Sequence, residues 1–115
     1  MKILIVEDSP LIAMDLEATL LDAGYDVAGP AATVKEALGI LENSEVDLAL
    51  LDINLGRENS FSIAEALSRL KRPFLFLTGY SEGSEYAVPE QFSQVKRIGK
   101  PLKYDELLSA IKAHG

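Results

Sequence analysis

Five side chains in this chain of 115 residues sit where they can do chemistry together. Glu7 and Asp8 follow the apolar run Ile3-Leu4-Ile5-Val6. Asp52 follows Leu48-Ala49-Leu50-Leu51 and precedes Ile53 and Asn54. Thr78-Gly79 follows Phe74-Leu75-Phe76-Leu77, and Gly99 leads into Lys100-Pro101. Three carboxylates brought to one place repel one another and raise each other's pKa values. A divalent cation relieves that repulsion. Oxygen donors without nitrogen or sulfur point to Mg²⁺, which keeps several waters in an octahedral shell. Lys100 can pair with the remaining charge, and Thr78 offers a hydroxyl donor. A carboxylate at the centre of such a site can attack a phosphoryl group. Cation, ammonium and hydroxyl would then hold the three equatorial oxygens of the transferring group.

Taken singly, each piece has an ordinary explanation. Glu-Asp after a strand is commonly a solvated loop or a helix cap, and Asp, Thr-Gly and Lys-Pro are common in turns. What joins them is the architecture that the rest of the chain implies. Five stretches read as strands: residues 2–6, 25–29, 47–51, 74–77 and 95–98. The first, third and fourth are continuous apolar runs, as expected of strands covered on both faces. The second and fifth carry charge and suit sheet edges. Helical patterns lie between them. Ile12, Leu16, Leu20 and Ala23 recur on one face after Ser9-Pro10, a cap residue with proline at the first helical position, and Gly24 ends that helix. Thr33 and Glu36 form a capping box before Val34, Ala37, Leu38 and Leu41. Ile63, Leu67 and Leu70 mark a third helix ended before Pro73, and Tyr104, Leu107, Leu108 and Ile111 a last one. Residues 81–94 hold Gly83, Pro89 and few apolar side chains, so any helix there is weak. Alternating strands and helices argue an α/β, doubly wound, flavodoxin-like five-stranded parallel sheet with helices on both faces. Right-handed crossovers and polar edges give the order 2-1-3-4-5, with a site beyond the carboxyl ends of the strands.

Composition narrows the function. The length fits one domain, residues 1–115. Cysteine is absent and His114 is the only histidine, which removes thiolate catalysis, Cys-based zinc sites and His-dependent triads. A net charge of −7 disfavours direct binding of nucleic acid or anionic lipid. No apolar run approaches a membrane span, and Glu7-Asp8 interrupts the N-terminal one too early for a signal peptide. A cytoplasmic location is expected.

Over essentially its whole length the chain resembles the receiver domains of two-component response regulators. The resemblance rests on Ile3-Leu-Ile-Val-Glu-Asp8, Asp47-Leu-Ala-Leu-Leu-Asp52, Thr78 after an apolar strand, and Lys100-Pro101. It implies that Asp52 is the phosphoryl acceptor, supplied by a histidine kinase or phosphotransfer protein. It implies that Glu7, Asp8, Asp52 and the backbone carbonyl of Asn54 hold Mg²⁺. Thr78 and Lys100 would bind phosphoryl oxygens, and the bond before Pro101 would be cis, a state of roughly 5–6% of X–Pro bonds. The signal would pass by conformational change to a protein partner, with no output domain in this chain. On this reading the chain is not an enzyme beyond its own phosphorylation and dephosphorylation. Residues 73–80 are similar to the FAT GUY class, with Leu77 in place of its alanine. Ile53-Asn54 replaces the common Met-Pro pair, and Arg97 stands where most receivers carry a switching aromatic. Those departures predict signalling through residues 81–94 and the fifth strand without the aromatic switch. Two alternatives are a small Mg²⁺ phosphohydrolase and a receiver-like interaction module that takes no phosphate. The first lacks a second acid two residues after Asp52, where Asn54 stands. The second does not explain the full set of five residues. A nucleotide site fails for want of a glycine-rich loop after the first strand.

Overall fold

The computed structural model describes residues 1–79 and 87–114. β1 (Lys2–Val6), β2 (Asp26–Ala31), β3 (Leu48–Asp52), β4 (Phe74–Thr78) and β5 (Arg97–Gly99) form one parallel sheet in the order β2-β1-β3-β4-β5. Four helices connect them: α1 (Pro10–Asp22), α2 (Val34–Asn43), α3 (Phe61–Arg69) and α4 (Tyr104–Lys112). The expected fold class and strand order are both present.

Side chains of a strand alternate between faces, and the central strands use both. Ile3, Ile5, Leu48, Leu50, Leu75 and Leu77 pack with Leu16 and Leu20 of α1 and Leu107 and Ile111 of α4. Leu4, Val6, Ala49, Leu51, Phe74 and Phe76 pack on the other face with Ala37 of α2 and Ile63, Ala64 and Leu67 of α3. Every residue of β3 is buried, which is why its sequence is an unbroken apolar run up to Asp52.

Local expectations hold with differences of detail. Ser9 is the N-cap of α1 with Pro10 following, but the Ser9 side chain makes no capping bond. Thr33 Oγ1 accepts from the Glu36 N–H at 3.1 Å, while Glu36 Oε1 takes the N–H of Ala32 at 2.8 Å rather than that of Thr33. β2 runs to Ala31 instead of stopping at Gly29, because a bulge lets Gly29 and Pro30 together face Ile5: Leu4 pairs with Ala28 and Val6 with Ala31. The Lys100–Pro101 bond is cis, as the resemblance implies, and the Gly29–Pro30 bond is cis as well. β5 begins at Arg97, two residues later than expected. Of the segment 81–94, residues 81–86 lie outside the described residues. Residues 87–94 contain only a single 3₁₀ turn, Glu90–Phe92, in keeping with poor helix formers. No helix among the described residues is long and apolar enough to cross a membrane.

Candidate functional site

Sheet register assembles the site. Val6 pairs with Leu51, so Glu7 follows on the line where Asp52 ends β3. Asp52 pairs with Leu77, and Thr78 pairs with Gly99, so Thr78 and Lys100 come next along the same edge. The Glu7 N–H bonds Ala31 O at 2.9 Å and the Lys100 N–H bonds Thr78 O at 2.7 Å, extending the ladders past the strand ends. Five expected side chains therefore reach one edge because four strands stop level there.

Asp52 and Glu7 are each 2% exposed, while Asp8 is exposed. Lys100 Nζ bridges the two buried carboxylates, 2.8 Å from Asp52 Oδ2 and 3.0 Å from Glu7 Oε1. The first contact is an aligned hydrogen bond. The second is an ion pair by distance, and Glu7 Oε1 has no aligned donor. The other oxygens take main-chain donors: Glu7 Oε2 accepts from Ser9 N–H at 3.0 Å and Asp52 Oδ1 from Asn54 N–H at 3.2 Å. Thr78 Oγ1 makes only a long bond, 3.3 Å, to Gly79 O.

Burial pushes the Asp52 carboxyl up to about 7, with Glu7 adding to the rise and Lys100 opposing it. Asp8 is also raised, by burial first and by Glu7 beside it. For Lys100, burial pulls downward, and its contacts with Asp52 and Glu7 outweigh that and leave it raised. Burial is the first cause of both raised carboxyls, and the neighbouring Glu7 carboxylate adds to each.

Oxygen atoms of Glu7, Asp8 and Asp52 lie within 4.8 Å of one another. Three carboxylates against one ammonium leave two negative charges when fully ionised, which a dication cancels. With only carboxylate oxygens in the cluster, the donor set fits a hard cation such as Mg²⁺.

Two supporting contacts were not legible in the sequence. Glu58 Oε2 accepts from the N–H of Val34, the first residue of α2, at 3.0 Å across 24 residues. Tyr104 donates to Asp15 Oδ2 at 3.0 Å, joining α4 to α1. Neither residue stands beside an apolar run ending in a charged group, the pattern that marked the other five.

Comparison with known proteins agrees with this geometry. The family model described as the response regulator receiver domain matches residues 3–112. The regulator PhyR of Methylorubrum extorquens is 42% identical over 105 residues, covering 89% of this chain and 39% of that protein. The solution structure of SdrG from Sphingomonas melonis Fr1 superposes with a TM-score of 0.85 at 40% identity, covering 99% of this chain and 95% of that one. TrrA from Thermotoga maritima, solved in complex with Mg²⁺ and BeF, superposes at 0.83 with 26% identity, covering 99% and 98%. The chain spans about half the length, or less, of such curated relatives.

Proposed function

The chain belongs to the response regulator receiver domains, which signal through phosphorylation, and from that premise we propose that Asp52 is its phosphoryl acceptor. The observation that carries this reading is the Lys100 bridge: one ammonium held between the buried carboxylates of Asp52 and Glu7 at the end of β3. Glu7, Asp8, Asp52 and the backbone carbonyl of Asn54 would hold Mg²⁺, a reading supported by the compact oxygen cluster and by TrrA, solved with that ion. The bound cation would supply charge neutralisation at the acceptor and at the incoming phosphoryl oxygens.

The donor is a phosphohistidine on a histidine kinase or phosphotransfer protein. An Asp52 carboxylate oxygen forms the new O–P bond as the donor's N–P bond breaks, and the leaving imidazole nitrogen takes a proton from solvent. Lys100 Nζ, already within hydrogen-bond reach of Asp52, binds one phosphoryl oxygen. Thr78, with only a long bond to give up, turns its hydroxyl to another. The signal then passes to a protein partner in the cytoplasm without direct contact with nucleic acid or membrane. Asn54 two residues after the acceptor supplies no second acid, so phosphorylation and dephosphorylation of Asp52 itself are the only reactions assigned.

Intact mass after incubation with acetyl phosphate and Mg²⁺ tests the assignment. The parent gains one phosphoryl mass and Asp52→Asn gains none. Equal labelling of that variant would move the acceptor elsewhere.

A further inference from the structure

The loop between β3 and α3 is a small closed hairpin. Ser60 N–H bonds Ile53 O at 3.1 Å, Leu55 N–H bonds Glu58 O at 2.9 Å, and Asn54 and Asn59 form an antiparallel bridge. Its interior is pinned again where Asn54 Oδ1 accepts from Gly56 N–H at 2.9 Å. On one side this hairpin meets the acidic cluster: Gly56 has φ +82°, and a Cβ there would lie 3.6 Å from Asp8 Oδ2. On the other side it meets α2 through a polar contact, Glu58 Oε2 accepting from the Val34 N–H. That N–H is one of the unpaired donors at a helix start, where a carboxylate is favoured. The β2–α2 connection is itself anchored to the site, because Ala31 O holds the Glu7 N–H. The two loops flanking the acidic cluster are therefore latched to one another at Glu58.

We propose that Glu58 is a positioning residue for the cation site, acting through the hairpin that carries Asn54. This rests on the reading of Glu7, Asp8, Asp52 and the Asn54 carbonyl as the Mg²⁺ ligands. Residues that orient a ligating group are worth a tenfold or larger change in metal affinity. With the latch present, residue 54 is held at both ends, by the end of β3 and by α2. Without it, the hairpin keeps its own bonds and the buried side chains of Ile53 and Leu55, but loses the polar contact that fixes its tip against the start of α2. A residue that only capped α2 would stabilise the fold and leave cation affinity alone, and the helix offers an internal control for that. Thr33 caps the same helix end through the Glu36 N–H and, among the described residues, makes no hydrogen bond to the hairpin.

The test is titration of the isotope-labelled full chain with MgCl₂, followed by amide chemical shifts, beside thermal unfolding without Mg²⁺. Glu58→Ala should weaken Mg²⁺ binding about tenfold. Glu58→Gln, which keeps an acceptor oxygen, should bind within about twofold of the parent. Val34→Pro removes the donor while leaving Glu58 in place, at a helix position where proline is tolerated, and should reproduce the Glu58→Ala loss. Thr33→Ala should lower the unfolding temperature and leave Mg²⁺ affinity unchanged. Parent-like affinity in both Glu58→Ala and Val34→Pro, with Asp8→Asn impaired, overturns this inference alone. A Thr33→Ala loss equal to that of Glu58→Ala also overturns it. Parent-like titration of Asp8→Asn overturns the cation-site reading and this inference with it.

Discussion

At Asp52 the chain carries a group that is costly to bury and useful for that reason. Its carboxyl titrates near 3.8 when exposed and is held up to about 7 in the fold, chiefly by burial. Between those values the folded chain binds a proton that the unfolded chain releases. Stability without metal therefore falls as pH rises from about 4 to about 7, by an amount on the order of a few kcal/mol. Asp52→Asn removes that titration. Urea unfolding should find the variant more stable than the parent at pH 8, with the gap closing towards pH 4. A gap of the same size at both pH values would show that burial of the charge is not what Asp52 costs. The same proton competes with a cation, so apparent Mg²⁺ affinity of the parent should increase from pH 6 to pH 8, measured by titration at fixed ionic strength. Lys100 acts in the opposite sense. It is 17% exposed and touches both buried carboxylates, so Lys100→Met should destabilise the chain more at pH 8 than at pH 5.

At the scale of elements, the parts that were legible are those whose environment is set along one strand or one helix turn. β1, β3 and β4 are buried on both faces, so each announces itself as a continuous apolar run. The five site residues were legible because each follows such a run or its edge equivalent. The sequence pattern ends β2 two residues early because Gly29-Pro30 has the form of a stop, whereas the strand passes through it as a bulge opposite Ile5. The Glu58–Val34 bond was invisible because a contact across 24 residues has no local pattern. The bulge makes its own prediction. Gly29 has φ +86°, and a Cβ there would come within 2.8 Å of Ala31 N and 3.1 Å of Ile5 O. Gly24, at φ +93°, has nothing within 4 Å of such a Cβ. Gly24→Ala should cost about 1 kcal/mol from backbone strain alone. Gly29→Ala adds a backbone clash with Ala31 N and a tight contact with Ile5 O, and should cost clearly more, about 3 kcal/mol or above. Chemical denaturation of the two variants side by side gives the comparison. Equal losses would mean that the strand end is free to shift.

Across the whole molecule, the proposed phosphoryl site lies where both cores meet the same sheet edge, and Thr78 joins it to the chain that follows β4. Thr78 ends β4, and its carbonyl holds the Lys100 N–H, so a hydroxyl turned towards Asp52 pulls on the start of the chain that continues to residue 87 and beyond. Among the described residues of that stretch, 87–94, Phe92 is the only buried side chain. Its ring packs edge-on against Phe74 and Phe76 and tilted against Phe61. One buried ring, a half-buried Val88 and a single 3₁₀ turn are little to hold eight residues in place, so this stretch should open far below the global unfolding free energy. Arg97 is exposed on β5, so no ring moves there to carry the signal. Amide exchange should therefore be fast at 87–94 in the resting chain and slow in β1, β3 and β4. Mg²⁺ with beryllofluoride, standing in for the phosphoryl group, should slow it by shifting the population towards the ordered state. Thr78→Ala should still be labelled at Asp52 by acetyl phosphate, yet lose that slowing. The pair of measurements separates taking the phosphoryl group from answering it. If 87–94 is strongly protected at rest, or if Thr78→Ala responds to beryllofluoride as the parent does, the signal leaves by another part of the sheet edge.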